Sequence, residues 1–231
     1  MRIQILCLLF FFGSAGSLVA QTDSVTIGSE TGYSKIETDG TLEFAGDAKV
    51  WEDYVVPFTS VKIRSETSPP DFAQFQDDGA SSTGVYGYAF DASALQEVFF
   101  TIQMPHSWAG TAIHPHIHWS PETDATGSVV WGMEYTWINY HPTTSLEFPA
   151  STTITATSDP IDGQALHHLI TEFSSITPTV DEQDGISSII VVRFFRAAEN
   201  DSDTYAADAF ALSFDIHYER NTVGSREEFV K

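Results

Sequence analysis

The segment His114-Pro115-His116-Ile117-His118 places three imidazoles at alternate positions. On a β-strand, alternate side chains share one face and lie about 7 Å apart. Two imidazoles so placed chelate one metal ion when a neighbouring strand supplies a third donor. Glu122, Glu134, Asp215 and His217 are the candidates for that donor, and the set suits a transition metal. A second candidate set is built from oxygen alone. Asn200, Asp201, Asp203 and Asp208 fall in one stretch between two apolar runs. Ca2+ prefers hard, flexible oxygen clusters of this kind, although the glycine and terminal Glu of an EF-hand loop are missing. Asp181, Glu182 and Asp184 form a smaller acidic group. Nucleophilic chemistry has little to work with: there is no G-x-S-x-G, and the only cysteine is Cys7. Trp108, Trp119, Trp131 and Trp137 are the aromatic candidates for a sugar-stacking platform. The plainer alternatives are histidines on a solvated face or subunit interface, an Asp-rich turn, and tryptophans in a core.

The elements that must position these residues are strands. Short apolar-aromatic runs alternate with clusters of Gly, Asp, Pro, Ser and Thr, the pattern of an all-β domain. Eight runs are expected as strands: 85–90, 98–104, 113–119, 129–140, 152–157, 167–173, 186–196 and 209–219. Eight strands separated by turns predict a two-sheet antiparallel β-sandwich of jelly-roll type, with a barrel of similar strand count as the alternative. Ahead of them, 50–58 reads as a further strand, and Asp39-Gly40 between two alternating runs predicts a two-residue hairpin turn. Residues 65–82 read as a long surface loop, and 92–97 as one helical turn at most.

Parity assigns faces. Ile113, Pro115, Ile117 and Trp119 share one side of their strand, and His114, His116 and His118 the other. Val129, Trp131, Met133, Tyr135 and Trp137 face inward, opposite Glu134. In the last strand Phe210, Leu212, Phe214, Ile216 and Tyr218 are expected on the core side, and Ala211, Ser213, Asp215, His217 and Glu219 opposite. Three of the four tryptophans therefore read as core.

Residues 1–20 carry Arg2, an apolar run and then small residues before Gln21, the pattern of a secretory signal. The run is too short to span a bilayer. The remainder divides into an N-terminal hairpin or arm at 21–49 and a β-sandwich at 50–231. The 231-residue chain has 10 Lys+Arg against 32 Asp+Glu, a net charge of −22. Loss of Arg2 with the signal moves it to −23. Such a balance argues against nucleic acid as a partner, because phosphate recognition needs a basic footprint. No Lys or Arg occurs between Arg64 and Arg193, a span that holds seven of the eight histidines. Carboxylates there must be relieved by salt, bound cations or protonated imidazoles.

Two resemblances add to this. Gly110, His116, His118 and Glu122 follow G-x5-H-x-H-x3-E, which resembles the first metal motif of cupins. That resemblance implies His116, His118 and Glu122 as ligands. It is local: the later glycine is displaced to Gly127, and the second cupin motif is not found. More broadly, the segments VWEDYVVP, GVYGYAF, EVFFTIQMPHSW, HPHIHW, WGMEYTW, ISSIIVVRFFR, SDTYAADAFALSFDIHY and GSREEFVK together resemble a family of β-rich proteins of tailed phages and marine bacteria. The resemblance runs from about Val50 to the C-terminus. It implies a virion-like or extracellular structural component that self-associates, with no enzymatic activity. The signal sequence departs from the phage pattern and turns the expectation toward an exported cell-surface or filament subunit, with the periplasm as the other compartment.

The sequence thus predicts an exported, non-enzymatic structural or surface-assembly protein, with no membrane span, stabilised by Ca2+ or a transition metal. The alternative is a cupin-like metalloenzyme using His116, His118 and Glu122. The third reading is a carbohydrate-binding adhesion module that takes a surface glycan.

Overall fold

The computed structural model describes residues 24–64, 68–141, 143–179 and 186–228. The signal reading of residues 1–20 and the Asp181, Glu182 and Asp184 group lie outside the described residues. Among the described residues thirteen strands follow in chain order: β1 Val25–Gly28, β2 Gly32–Ile36, β3 Leu42–Gly46, β4 Val50–Pro57, β5 Asp71–Gln76, β6 Val85–Phe90, β7 Glu97–Gln103, β8 His114–Pro121, β9 Val130–Ile138, β10 Thr152–Thr157, β11 Leu169–Glu172, β12 Ile189–Arg196 and β13 Ala209–Arg220. Among the described residues there is one 3-10 turn, Phe58–Ser60, and no helix long and apolar enough to cross a membrane.

The strands β6 to β13 pair as a long hairpin rolled on itself. The first pairs with the last, β6 with β13, then β7 with β12, β8 with β11 and β9 with β10. Two further pairings, β8 with β13 and β9 with β12, close the roll into two sheets. One sheet runs β10-β9-β12-β7 and the other β11-β8-β13-β6-β5, with β4 also on β13. All these pairings are antiparallel, so the architecture is a two-sheet jelly-roll sandwich, as the spacing of the runs predicts.

The core between the sheets is aromatic. Trp131 of one sheet meets Trp119 and Phe90 of the other edge-on, at 5.8 and 5.5 Å between ring centres. Phe194 stacks on Trp131 at 5.4 Å and meets Phe214 at 5.7 Å. Trp108, Trp119 and Trp131 are buried, which accounts for three of the candidate stacking residues as core. Trp137 is half-buried against Trp108.

Four local expectations change. The stretch read as a loop contains β5, an edge strand that starts after Pro69-Pro70 and leaves Phe72 exposed. Prolines at the start of an edge strand leave its ladder intact, which is why the composition concealed it. Residues 92–97 form no helical turn; the Asp91 carboxylate instead accepts from the Ser93 N–H and hydroxyl. The turn at Asp39-Gly40 is longer than two residues: Ile36 pairs with Leu42, and the Asp39 carboxylate accepts from the Thr41 N–H. The expected arm is a three-stranded meander, β1-β2-β3.

A further change concerns β13. Its register against β8 slips between Ala211 and Ser213, so Leu212 is an extra residue. A bulge reverses parity. Ahead of it, Ala209 and Ala211 enter the core and Phe210 packs on Phe75 at 5.2 Å on the opposite face. Beyond it, Phe214, Ile216 and Tyr218 enter the core, as expected.

Among the described residues the meander meets the sandwich through few bonds: the Phe44 N–H to the Asn221 carbonyl, the bridge of Glu43 to Thr222, and Arg226 on the carboxylate and carbonyl of Asp39. Removal of residues 24–46 is therefore expected to leave the jelly roll folded, with its thermal midpoint within about 4 °C of the full chain. Circular dichroism melts of the two proteins check this.

Candidate metal centre

The alternation of β8 puts Ile117 and Trp119 into the core and turns its histidines outward. Each pairs across the ladder with a residue of β13 on the same face: His116 opposite Asp215, His114 opposite His217, and His118 opposite Ser213. On the other side, His116 faces Glu172 and His118 faces Ile170 of β11. The bulge in β13 is what sets this match: with Leu212 paired in regular register, Phe214 and Ile216 would fall on the outer face.

Three donor atoms converge. His116 Nε2 and His118 Nε2 are 3.1 Å apart, and Asp215 Oδ2 lies 3.8 and 3.2 Å from them. These form the one group of at least three His, Cys, Asp or Glu ligand atoms close enough to hold an ion, among the described residues. The edge of a tetrahedron around Zn2+ with bonds near 2.05 Å is about 3.3 Å, so the triangle matches one face of that polyhedron.

The surroundings fit the same chemistry. His118 Nδ1 lies 2.6 Å from His168 Nε2, and His116 Nδ1 is 3.5 Å from the His114 carbonyl oxygen. Metal-ligating imidazoles carry an outer partner of this kind on the second nitrogen, which fixes the tautomer. His116 is 3% exposed and Asp215 6%, although both lie on the outward face. The rings of His118 and His217 cover them, at 4.9 and 4.4 Å from the His116 ring. Asp215 Oδ1 is buried with no hydrogen-bond partner among the described residues. A buried carboxylate so poorly satisfied is costly unless a cation compensates it. Burial holds the His118 imidazole below its ordinary value against the raising effect of Asp215, and His116 depresses it further. A neutral imidazole is the form that ligates.

The remaining sequence candidates divide. His217 shares the face, but its Nε2 is 2.6 Å from Asp53 Oδ1. His114 is exposed and packs edge-on against Trp51 at 5.2 Å. Glu122 does not join the imidazoles: it follows β8, with its N–H on the Asp208 carbonyl, and the carboxylate that stands beside His116 and His118 is that of Asp215. Glu134 is on the other sheet, where Arg193 and Ser151 hold its carboxylate below the usual range, the Ser151 hydroxyl contributing most. His168 and Glu172 are not among the candidates that the sequence singles out. Both follow from the parity of the expected strand 167–173, which places His168, Ile170 and Glu172 together.

The oxygen cluster is also redistributed. Asp203 forms a two-point pair with the fully buried Arg196, at 3.0 and 2.7 Å. The same guanidinium donates to the carbonyls of Phe90, Ala207 and Tyr205. Arg196 thus stands where a cation would satisfy this loop. Asn200 accepts from the Ser202 N–H, and Asp201 is exposed. Asp208 is pushed above the carboxylate range by burial and then by Glu122, Asp91 and Asp71, with Arg196 opposing.

No protein-family model and no curated protein matches the chain. Among solved structures, the chain is similar to a non-crystalline cellulose specific carbohydrate-binding module, at 12% identity over 65% of this chain and 81% of that one, with a TM-score of 0.27.

Two outcomes are expected from this arrangement. Arg196→Ala leaves Asp203 and three carbonyls without their donor, and should cost about 3–5 kcal/mol in urea unfolding. Asp208 has a folded-state pKa above its unfolded value, so its penalty is fully present at neutral pH and disappears as pH falls through the folded pKa. Asp208→Asn should therefore raise the melting midpoint at pH 7 by roughly 1–3 °C, with the gain vanishing below both pKa values.

Proposed function

We propose that this protein is an exported, non-enzymatic β-sandwich module that carries one transition-metal ion on the outer face of its jelly roll. The observation that carries the reading is the triangle of His116 Nε2, His118 Nε2 and Asp215 Oδ2, with separations of 3.1, 3.2 and 3.8 Å. Two imidazoles and one carboxylate are a borderline donor set, suited to Zn2+ and to Co2+, Ni2+ or Cu2+, rather than to Ca2+. The site joins strands that are far apart in sequence, β8 and β13, so a bound ion would clamp the centre of the six-stranded sheet. That role suits a chain with no cysteine beyond Cys7, which must hold itself together without disulfides.

Equilibrium dialysis against Zn2+, with metal measured by emission spectroscopy, should find one ion per chain. His116→Ala and His118→Ala should each weaken binding by more than about 100-fold, and His168→Ala by about 10–100-fold through loss of the outer partner. Glu122→Gln and Glu134→Gln should leave it unchanged. Saturation to 100 times Kd should raise unfolding stability by about 2.7 kcal/mol. A stoichiometry of zero, or one untouched by the His116→Ala/His118→Ala double variant, would overturn the reading.

A further inference from the structure

We propose that the metal-bearing face is an interface between two copies of this chain, in which His114 of the partner subunit completes each metal's coordination. The inference rests on the metal reading above and names the partner of that same site.

The first argument is coordination. Three donors rise from one sheet surface, so a tetrahedral ion held by them has its fourth vertex pointing away from the sheet. Beside His116 on this face opens a cleft of about 430 Å³, lined by Trp51, His114, His116, Glu172 and His217. The second argument is the state of His114. It is exposed on the same face, yet its nitrogens are not among the converging ligand atoms. Among the described residues its ring has no hydrogen-bond partner, whereas His217 is held by Asp53 and His168 by His118. The edge-on contact with Trp51 positions the His114 ring without occupying either nitrogen.

The third argument is the composition of the face. The outward face of an antiparallel sheet is ordinarily polar. Here Trp51, Val55 and Ile170 are 56%, 50% and 53% exposed. Register places all three on the outer face, with Trp51 opposite Glu219, Val55 opposite Asp215 and Ile170 opposite His118. Apolar side chains that surround a polar centre in this way mark a surface that is covered in use.

Charge and symmetry select the occupant. At −22, two copies repel unless they meet where the negative charge is offset. This face gathers five imidazoles, His114, His116, His118, His168 and His217, with the carboxylates Asp53, Asp215, Glu172 and Glu219, the last paired with Lys49, and a divalent ion would offset two of the negative charges that remain. A two-fold contact needs one surface that carries both halves of the interaction. This surface has an open coordination vertex and a free imidazole, so it is complementary to itself.

Sedimentation velocity and light scattering on the full protein, with EDTA and then with one equivalent of Zn2+, test the inference, alongside dialysis for bound metal. The expected result is a single-chain mass in EDTA and a twofold mass with Zn2+, reversed by chelation. His114→Ala should still bind one Zn2+ per chain and remain a monomer, and Trp51→Ala should raise the dimer dissociation constant at least tenfold. If the parent chain binds Zn2+ and its mass stays that of one chain, the interface is wrong while the metal reading stands. If His114→Ala dimerises as the parent does, the bridging role is wrong. If no Zn2+ binds, the metal reading fails and takes the interface with it.

Discussion

The register of β13 against β8 is the constraint on which both the fold and the site depend. β13 is twelve residues long and pairs with β8 along one edge and with β6 and then β4 along the other. It is therefore the centre of its sheet. The extra residue at Leu212 lets it serve two phases: alanines face the core beside β6, and aromatic and aliphatic side chains face it beside β4. A one-residue slip exchanges the two faces of a strand. Without the bulge, either Ala209 and Ala211 or Asp215 and His217 would be on the wrong side.

The charge distribution gains a structural reading from the same architecture. Arg64 and Arg193, which bracket the long span without Lys or Arg, converge on the buried Glu97, and Arg193 also reaches Glu134. Arg196 serves Asp203 and the loop carbonyls. The few guanidiniums on and beside the sandwich are thus placed against particular carboxylates. The outer face of the six-stranded sheet has no arginine at its centre, and imidazoles stand there instead.

Much of this was legible in the sequence, for a physical reason. Alternation reports the two faces of a strand wherever one face is buried, so β6 and β10 match their expected bounds and the histidines of β8 fall on the expected side. Three things were not legible. β5 carries too many polar and proline neighbours to show alternation. The bulge at Leu212 has no composition signal, because Phe210, Leu212 and Phe214 continue the pattern through it. The choice of Asp215 over Glu122 and Glu134 depends on which strands become neighbours. That is set by the roll of the hairpin, some hundred residues of chain away from His116, and local spacing such as the cupin-like motif cannot report it.

The rolled pairing also dictates an order of events. β8, β6 and β4 all meet on β13, and β6 has only the edge strand β5 besides, so the six-stranded sheet has no centre to close on until residues 209–220 exist. Folds dominated by such distant pairings form slowly, because loop-closure entropy is lost before the contacts repay it. In a growing chain the four-stranded sheet can pair first, while β8, β6 and β4 wait for their shared neighbour β13. Strand edges and aromatic side chains left exposed over that interval are open to association with other chains until the central strand emerges.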